Sequence, residues 1–88
     1  MTQEEQLVLQ GDDAEFLLNN EAFKTTIESL VELSFQAFCM SEPDNTNGRE
    51  RTYAHYRALC ELVDTLKQRV SVRDEINERA SDNRSEEE

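Results

Sequence analysis

Basic residues are scarce in this chain. Nine lysines and arginines stand against twenty aspartates and glutamates, a formal net charge of -11, which predicts a soluble protein and argues against unaided binding to nucleic acid or to an anionic membrane. The shortage is concentrated in the first half. Residues 1–48 hold one base, Lys24, against ten acids, and residues 49–88 hold eight bases against ten acids, so the halves carry -9 and -2. Long apolar runs are also missing. No segment approaches the roughly 20 apolar residues that cross a bilayer, since Glu32, Ser34 and Gln36 interrupt the best candidate. The opening residues, Met1 to Gln6, are acidic and polar and do not read as a secretory or transit signal. The expectation is a cytoplasmic protein with no membrane partner.

Motifs that carry chemistry are absent too. There is no glycine-rich phosphate loop and no metal-binding motif. His55 is the sole histidine, and with Cys39 and Cys60 it falls short of the four closely paired ligands of a structural zinc site. It reads instead as a half-exposed helix residue beside Tyr53 and Tyr56. Carboxylates are plentiful but fall on solvated helix faces, without the adjacent base and orienting group that a nucleophile needs. The sequence therefore predicts no enzyme, no cofactor, and no catalytic or metal-ligating residue.

Proline occurs once, and it marks the one place where turn-forming residues cluster, Glu42-Pro43-Asp44-Asn45-Thr46-Asn47-Gly48. Pro43 lacks a backbone N–H and pushes Glu42 out of the α region, so a helix arriving from the N-terminal side stops at about Ser41. Asp44, Asn45, Thr46 and Asn47 each carry an oxygen able to cap a new helix, and Asn47 with Glu50 has capping-box spacing. The predicted fold is all-α: an antiparallel two-helix hairpin, about 20–41 and 46–80, with short N-terminal helices. Residues 1–80 form a single domain. Residues 81–88 have no apolar side chain and are predicted to be a disordered acidic tail. At 88 residues one apolar core contributes little beyond the entropy cost of folding, so further support is expected.

The helical pattern is explicit. Thr2 caps a two-turn piece over residues 2–10, after which Gly11 with Asp12 and Asp13 reads as a break and a fresh cap, with the alternative that Gly11 only weakens a continuing helix. Asn20 caps the next helix, where Phe23, Ile27, Val31, Phe35 and Phe38 recur at four, four, four and three, with Leu30 on the same stripe and Leu33, Ala37 and Cys39 slightly off it. Beyond the bend, Tyr56, Leu59, Val63, Leu66 and Val70 recur at three, four, three and four, the seam of two packed antiparallel helices. Past Val70 the seam thins to Val72, Ile76 and Ala80. This overhang needs a partner, either the N-terminal pieces around Leu7, Leu9, Phe16 and Leu17 or a second copy. On such a hairpin Cys39 and Cys60 lie roughly 15 Å apart along the axis, beyond the about 7 Å that a disulfide spans, so both are expected to be free.

Two sets of charges are candidate contacts. Arg49 and Arg51 occupy the first turn of the third helix, where positive charge opposes the macrodipole. They pair with Glu42, Asp44 or the free carbonyls across the bend, or else face an acidic partner. Glu28 and Glu32, with Glu21 and with Asp12, Asp13 and Glu15 ahead of them, form an acidic row that is either an ordinary solvated face or a mimic of a phosphate backbone.

Asn20, Ala22 and Phe23, the bend from Ser41 to Glu50, Tyr53, and the spaced Leu59, Leu62 and Leu66 together resemble small phage and prophage proteins. In those, a helix is followed by a bend of the type Thr-Pro-x-Asp-Thr-x-x-Arg-Glu, an aromatic residue and a leucine-spaced helix. The resemblance covers about residues 15–70, with Phe35 and Phe38 where that pattern has a tryptophan. It implies a small structural or accessory component that travels with virion or genome-packaging genes, and transfers no catalytic residue. The reading is thus a protein that acts by binding protein partners and forms a homo-oligomer, with Val63, Leu66 and Val70 in the packing. The alternative is a small acidic inhibitor of a host nucleic-acid-handling or defence protein.

Overall fold

The computed structural model describes the backbone of residues 1–87 and the side chains through Asn83. The chain is all-helical: α1 spans Gln3–Asn19, α2 spans Glu21–Cys39 and α3 spans Thr46–Glu87. Each start has a side-chain cap. The Thr2 hydroxyl accepts from the Glu5 amide at 3.1 Å, the Asn20 carbonyl oxygen from the Phe23 amide at 2.9 Å, and the Asn45 side chain from the Gly48 amide at 3.2 Å. Asn45, and not the Asn47–Glu50 pair, thus fills the capping place of α3, and a Cβ on Gly48 would crowd the Asn45 side chain at 2.9 Å from its Cγ.

A single extended residue joins α1 to α2. Asn20 sits at φ -79° and ψ 119°; its amide donates to the Leu17 carbonyl while its side chain caps α2. One residue both ends a helix and starts the next. Asn20→Ala leaves that α2 N–H without its acceptor and is expected to cost about 1 kcal/mol, seen as a melting temperature about 5 °C lower by circular dichroism; an unchanged melt would mean the cap contributes nothing.

Gly11 does not break α1. Of the two possibilities, a break or a weak point within one helix, the second holds: a single 17-residue helix forms with Gly11 buried in its middle. The physical reason is a neighbour: a Cβ at Gly11 would collide with the Cβ of Arg73 and stand 2.8 Å from the Arg69 carbonyl oxygen. Gly11 is there to let two backbones approach. At the other end α3 continues past Ala80 to Glu87, so residues 81–87, expected to be a disordered tail, carry on the helix; Glu88 lies outside the described residues.

The contacts run in opposite order along the partners. Phe38 meets Tyr53 and Phe35 meets Tyr56, with ring centroids 6.2 and 6.5 Å apart, Ser34 meets His55, and Asp12 and Glu15 meet Arg73. α2 therefore lies on the bend-proximal part of α3 and α1 on its distal part, in a body of 67 × 25 × 21 Å. This gives the overhang its partner: α1, through Leu7, Val8, Gly11, Ala14 and Leu18, all buried or half-buried, while Leu9, Phe16 and Leu17 remain exposed. Among the described residues the buried apolar set is small, Ala14, Leu66 and Ile76, with Ser34 and Arg73 as the buried polar side chains.

Ser34 corrects the apolar stripe of α2. The expected inward residue was Phe35, but Phe35 is 53% exposed and Ser34 5%, because Ile27, Ser34 and Ser41 repeat at seven and form the inner row. Phe35 is displaced to the flank, where its ring tilts at 51° against Tyr56.

Candidate interaction surface

Around the bend, aromatic rings and one guanidinium make a small shaped surface. Arg49 stands over the Phe38 ring at 5.3 Å from its centroid, a cation–π contact that offsets the unfavourable place of a cation at a helix start. Phe38, Thr46, Arg49, Glu50 and Tyr53 line a shallow hollow there of about 310 Å³. Arg49 is half-buried and Arg51 exposed, so the two arginines paired in the sequence reading have different surroundings.

Behind the rings, Cys60 lies beside the Tyr56 phenol and, through a hydrogen bond and electrostatic interaction, holds its pKa above the ordinary tyrosine value. Cys39 and Cys60 are both free thiols. His55 is exposed on α3, with its Nδ1 at 3.5 Å from the Ser34 hydroxyl.

A second hollow, about 330 Å³, opens beside the α1–α2 junction between Leu18, Phe23, Lys24, Ile27, Glu28, Val63 and Lys67. It exists because Asn20 interrupts the helical path and leaves Phe23 and Val63 half-covered. Leu66 is 6% exposed and packs within the chain, Val70 is half-buried, and Val63 faces this hollow. Glu28 is on its edge. Glu32 is exposed and accepts from the Gln36 side chain at 3.0 Å.

The acidic row is partly neutralised from within. Arg73 donates to Glu15 at 2.9 and 3.3 Å, to Asp12 at 3.0 Å and to Asp74 at 2.9 and 3.1 Å. Its side chain is 11% exposed, whereas those of the acids are 51–62% exposed. Glu15 first, then Asp74 and Asp12, raise the guanidinium's pKa above its ordinary value. Sequence reasoning missed this cluster, although a signal existed: Leu59, Leu66 and Arg73 repeat at seven, and an arginine on an inner row calls for acids on the facing helix.

No family model, no curated protein and no solved structure matches this chain. What the geometry offers is therefore a set of surfaces. Among the described residues no helix is long and apolar enough to cross a membrane. The exposed large apolar side chains, Phe16, Leu30, Leu33, Phe35, Tyr53 and Leu62 among them, outnumber the buried ones.

Proposed function

We propose that this chain is a non-enzymatic helical interaction protein that self-associates and serves as a structural or assembly component of a phage virion or its packaging apparatus. In this reading α2 and the start of α3 form an antiparallel hairpin, α1 extends one arm of it, and the end of α3 reaches beyond the part that α2 covers. It works in the host cytoplasm or the virion. The observation that supports binding over chemistry is the ratio of exposed to buried apolar side chains: Leu33 is 61% exposed and Phe16 68%, while only Ala14, Leu66 and Ile76 are buried among the described hydrophobic residues. Surfaces of that kind are normally covered by a partner. The phage assignment rests on the likeness of the bend and its flanking residues to small phage proteins.

The alternative, an acidic inhibitor of a host nucleic-acid-handling or defence protein, draws on Glu21, Glu28 and Glu32, which stay exposed on one side of α2. The binding of Asp12 and Glu15 by Arg73 removes two acids from that row and favours the first reading. A pull-down with the full chain from phage-infected cells separates them. Virion or packaging proteins retained at about 0.5 M salt are the expected result, since contacts between apolar faces are not screened. Recovery of a basic host protein that is released by salt and by Glu28→Lys with Glu32→Lys would overturn it in favour of the inhibitor.

A further inference from the structure

α2 carries two apolar rows, and only one of them is used within the chain. Phe23, Ile27, Val31 and Phe38 are half-buried with Ser34 toward α3. A second row, Thr26, Leu30, Leu33, Ala37 and Met40, recurs at four, three, four and three, the spacing that another helix packs against. At about 100° per residue it is turned roughly a quarter of a circle from the first. It is open: Leu30 is 38% exposed, Leu33 61% and Met40 82%.

We propose that this side of the molecule, Leu30, Leu33 and Ala37 on α2 with Ala58 and Leu62 on α3, is the surface through which two copies of the chain join face to face. The α3 residues share the side because α2 and α3 run in opposite directions: equal turns from their facing rows, in the same sense along each chain, bring both to one side of the pair. Leu62 is 43% exposed there. The flank bearing Phe35, Tyr53 and Tyr56 is the other side, where the rings already contact one another.

Charge selects a second copy as the occupant. Each chain carries -11, so two copies repel unless the contact leaves their acids outside. On α2, Glu21, Lys24, Glu28 and Glu32 all project away from the second row, whose borders are Thr25, Ser29, Gln36 and Ser34. On α1 the same side bears Gln3, Gln6, Gln10 and Leu17, with Asp13 at the rim; on α3 its charges are Arg51 and Arg69, with Glu50 and Glu61 at the rim. Among the described residues no acid falls inside it. A basic partner would choose the opposite, acidic side.

Size is sufficient when the α1 part of this side joins the contact. Counting α1 and α2 end to end, the side runs about 50 Å and is two helices, about 20 Å, wide. That is on the order of 1,000 Å² per copy, above the about 800 Å² per partner of a stable interface.

The inference rests on the self-associating reading above and names its surface. Sedimentation velocity on the full chain, from about 1 to 100 µM, is expected to show a dimer of the 10.2 kDa chain. Leu33→Glu and Leu62→Glu should each raise the dimer dissociation constant at least about 100-fold with helicity unchanged, because both side chains are exposed in the single chain; Phe16→Glu, on α1 away from this side, should leave it unaltered. Raising salt should tighten the wild-type dimer by screening the mutual repulsion, a readout that needs no variant. A wild-type chain monomeric throughout overturns the dimer, and if it still captures virion proteins the binding role survives that failure. A dimer that persists in Leu33→Glu, dissociates in Phe16→Glu or loosens with salt overturns the assigned surface.

Discussion

Gly11→Val should lower the melting temperature by about 15 °C, corresponding to about 3 kcal/mol of overpacking. Gly11 is buried in the middle of α1, and the atoms that a Cβ would strike are the Arg69 carbonyl oxygen, at 2.8 Å, and the Cβ of Arg73. Neither can swing aside. One is backbone and the other is the root of a side chain, so α1 must back away from α3 and give up the contacts of Leu7, Ala14 and Leu18. Gly11→Ala gives the sharper sign. At an unpacked helix position it would stabilise by about 1 kcal/mol through helix propensity, whereas here the collision opposes that gain and a net loss of about 1 kcal/mol is expected. Thermal circular dichroism on both variants checks this, and an alanine variant more stable than wild type would mean that α1 does not lie against α3.

Arg73→Glu should release α1 with a comparable effect, a melting temperature more than about 10 °C lower. The substitution puts a fourth carboxylate among Glu15, Asp12 and Asp74, which are the groups that bind the guanidinium now. Arg73→Leu is expected to be far milder. Its acidic neighbours are each more than half exposed and regain water when the guanidinium is removed, and an apolar side chain suits an inner row. The ordering Leu milder than Glu distinguishes charge from mere packing. Adding Glu15→Lys to the Arg73→Glu chain should recover part of the loss; equal melts for the two single variants would show that the ion pairs do not hold α1.

The sequence made the local devices of this fold readable. Pro43 and the run of capping residues after it located the bend, and Thr2 and Asn20 act as the caps that their positions suggested, since a cap is decided by three or four consecutive residues. The seam Tyr56, Leu59, Val63, Leu66 and Val70 is buried or half-buried as its spacing implied. What escaped was set by distant partners. Gly11 looks the same whether it interrupts a helix or admits a neighbouring backbone, and the neighbour, Arg73, is 62 positions away. Phe35 outranks Ser34 in apolarity, which moved the expected inner row by one residue. The surroundings of Arg49 could be narrowed to the bend, but the Phe38 ring beneath it was not among the partners considered. As for the candidate site, Leu30 was read as part of the main stripe and Leu33 and Ala37 as residues slightly off it, because a second seam becomes distinct once the first has been occupied.

The division of α3 between two partners also fixes an order of assembly. Ser34 and His55 are 21 positions apart, whereas Arg73 lies 58 and 61 positions from Glu15 and Asp12. Closing the longer loop first would cost about 1 kcal/mol more in chain entropy, which favours closure from the bend outward. The end that closes last is also the more deeply packed one: Gly11, Ala14, Arg73 and Ile76 are buried there, against Ser34 beside the bend.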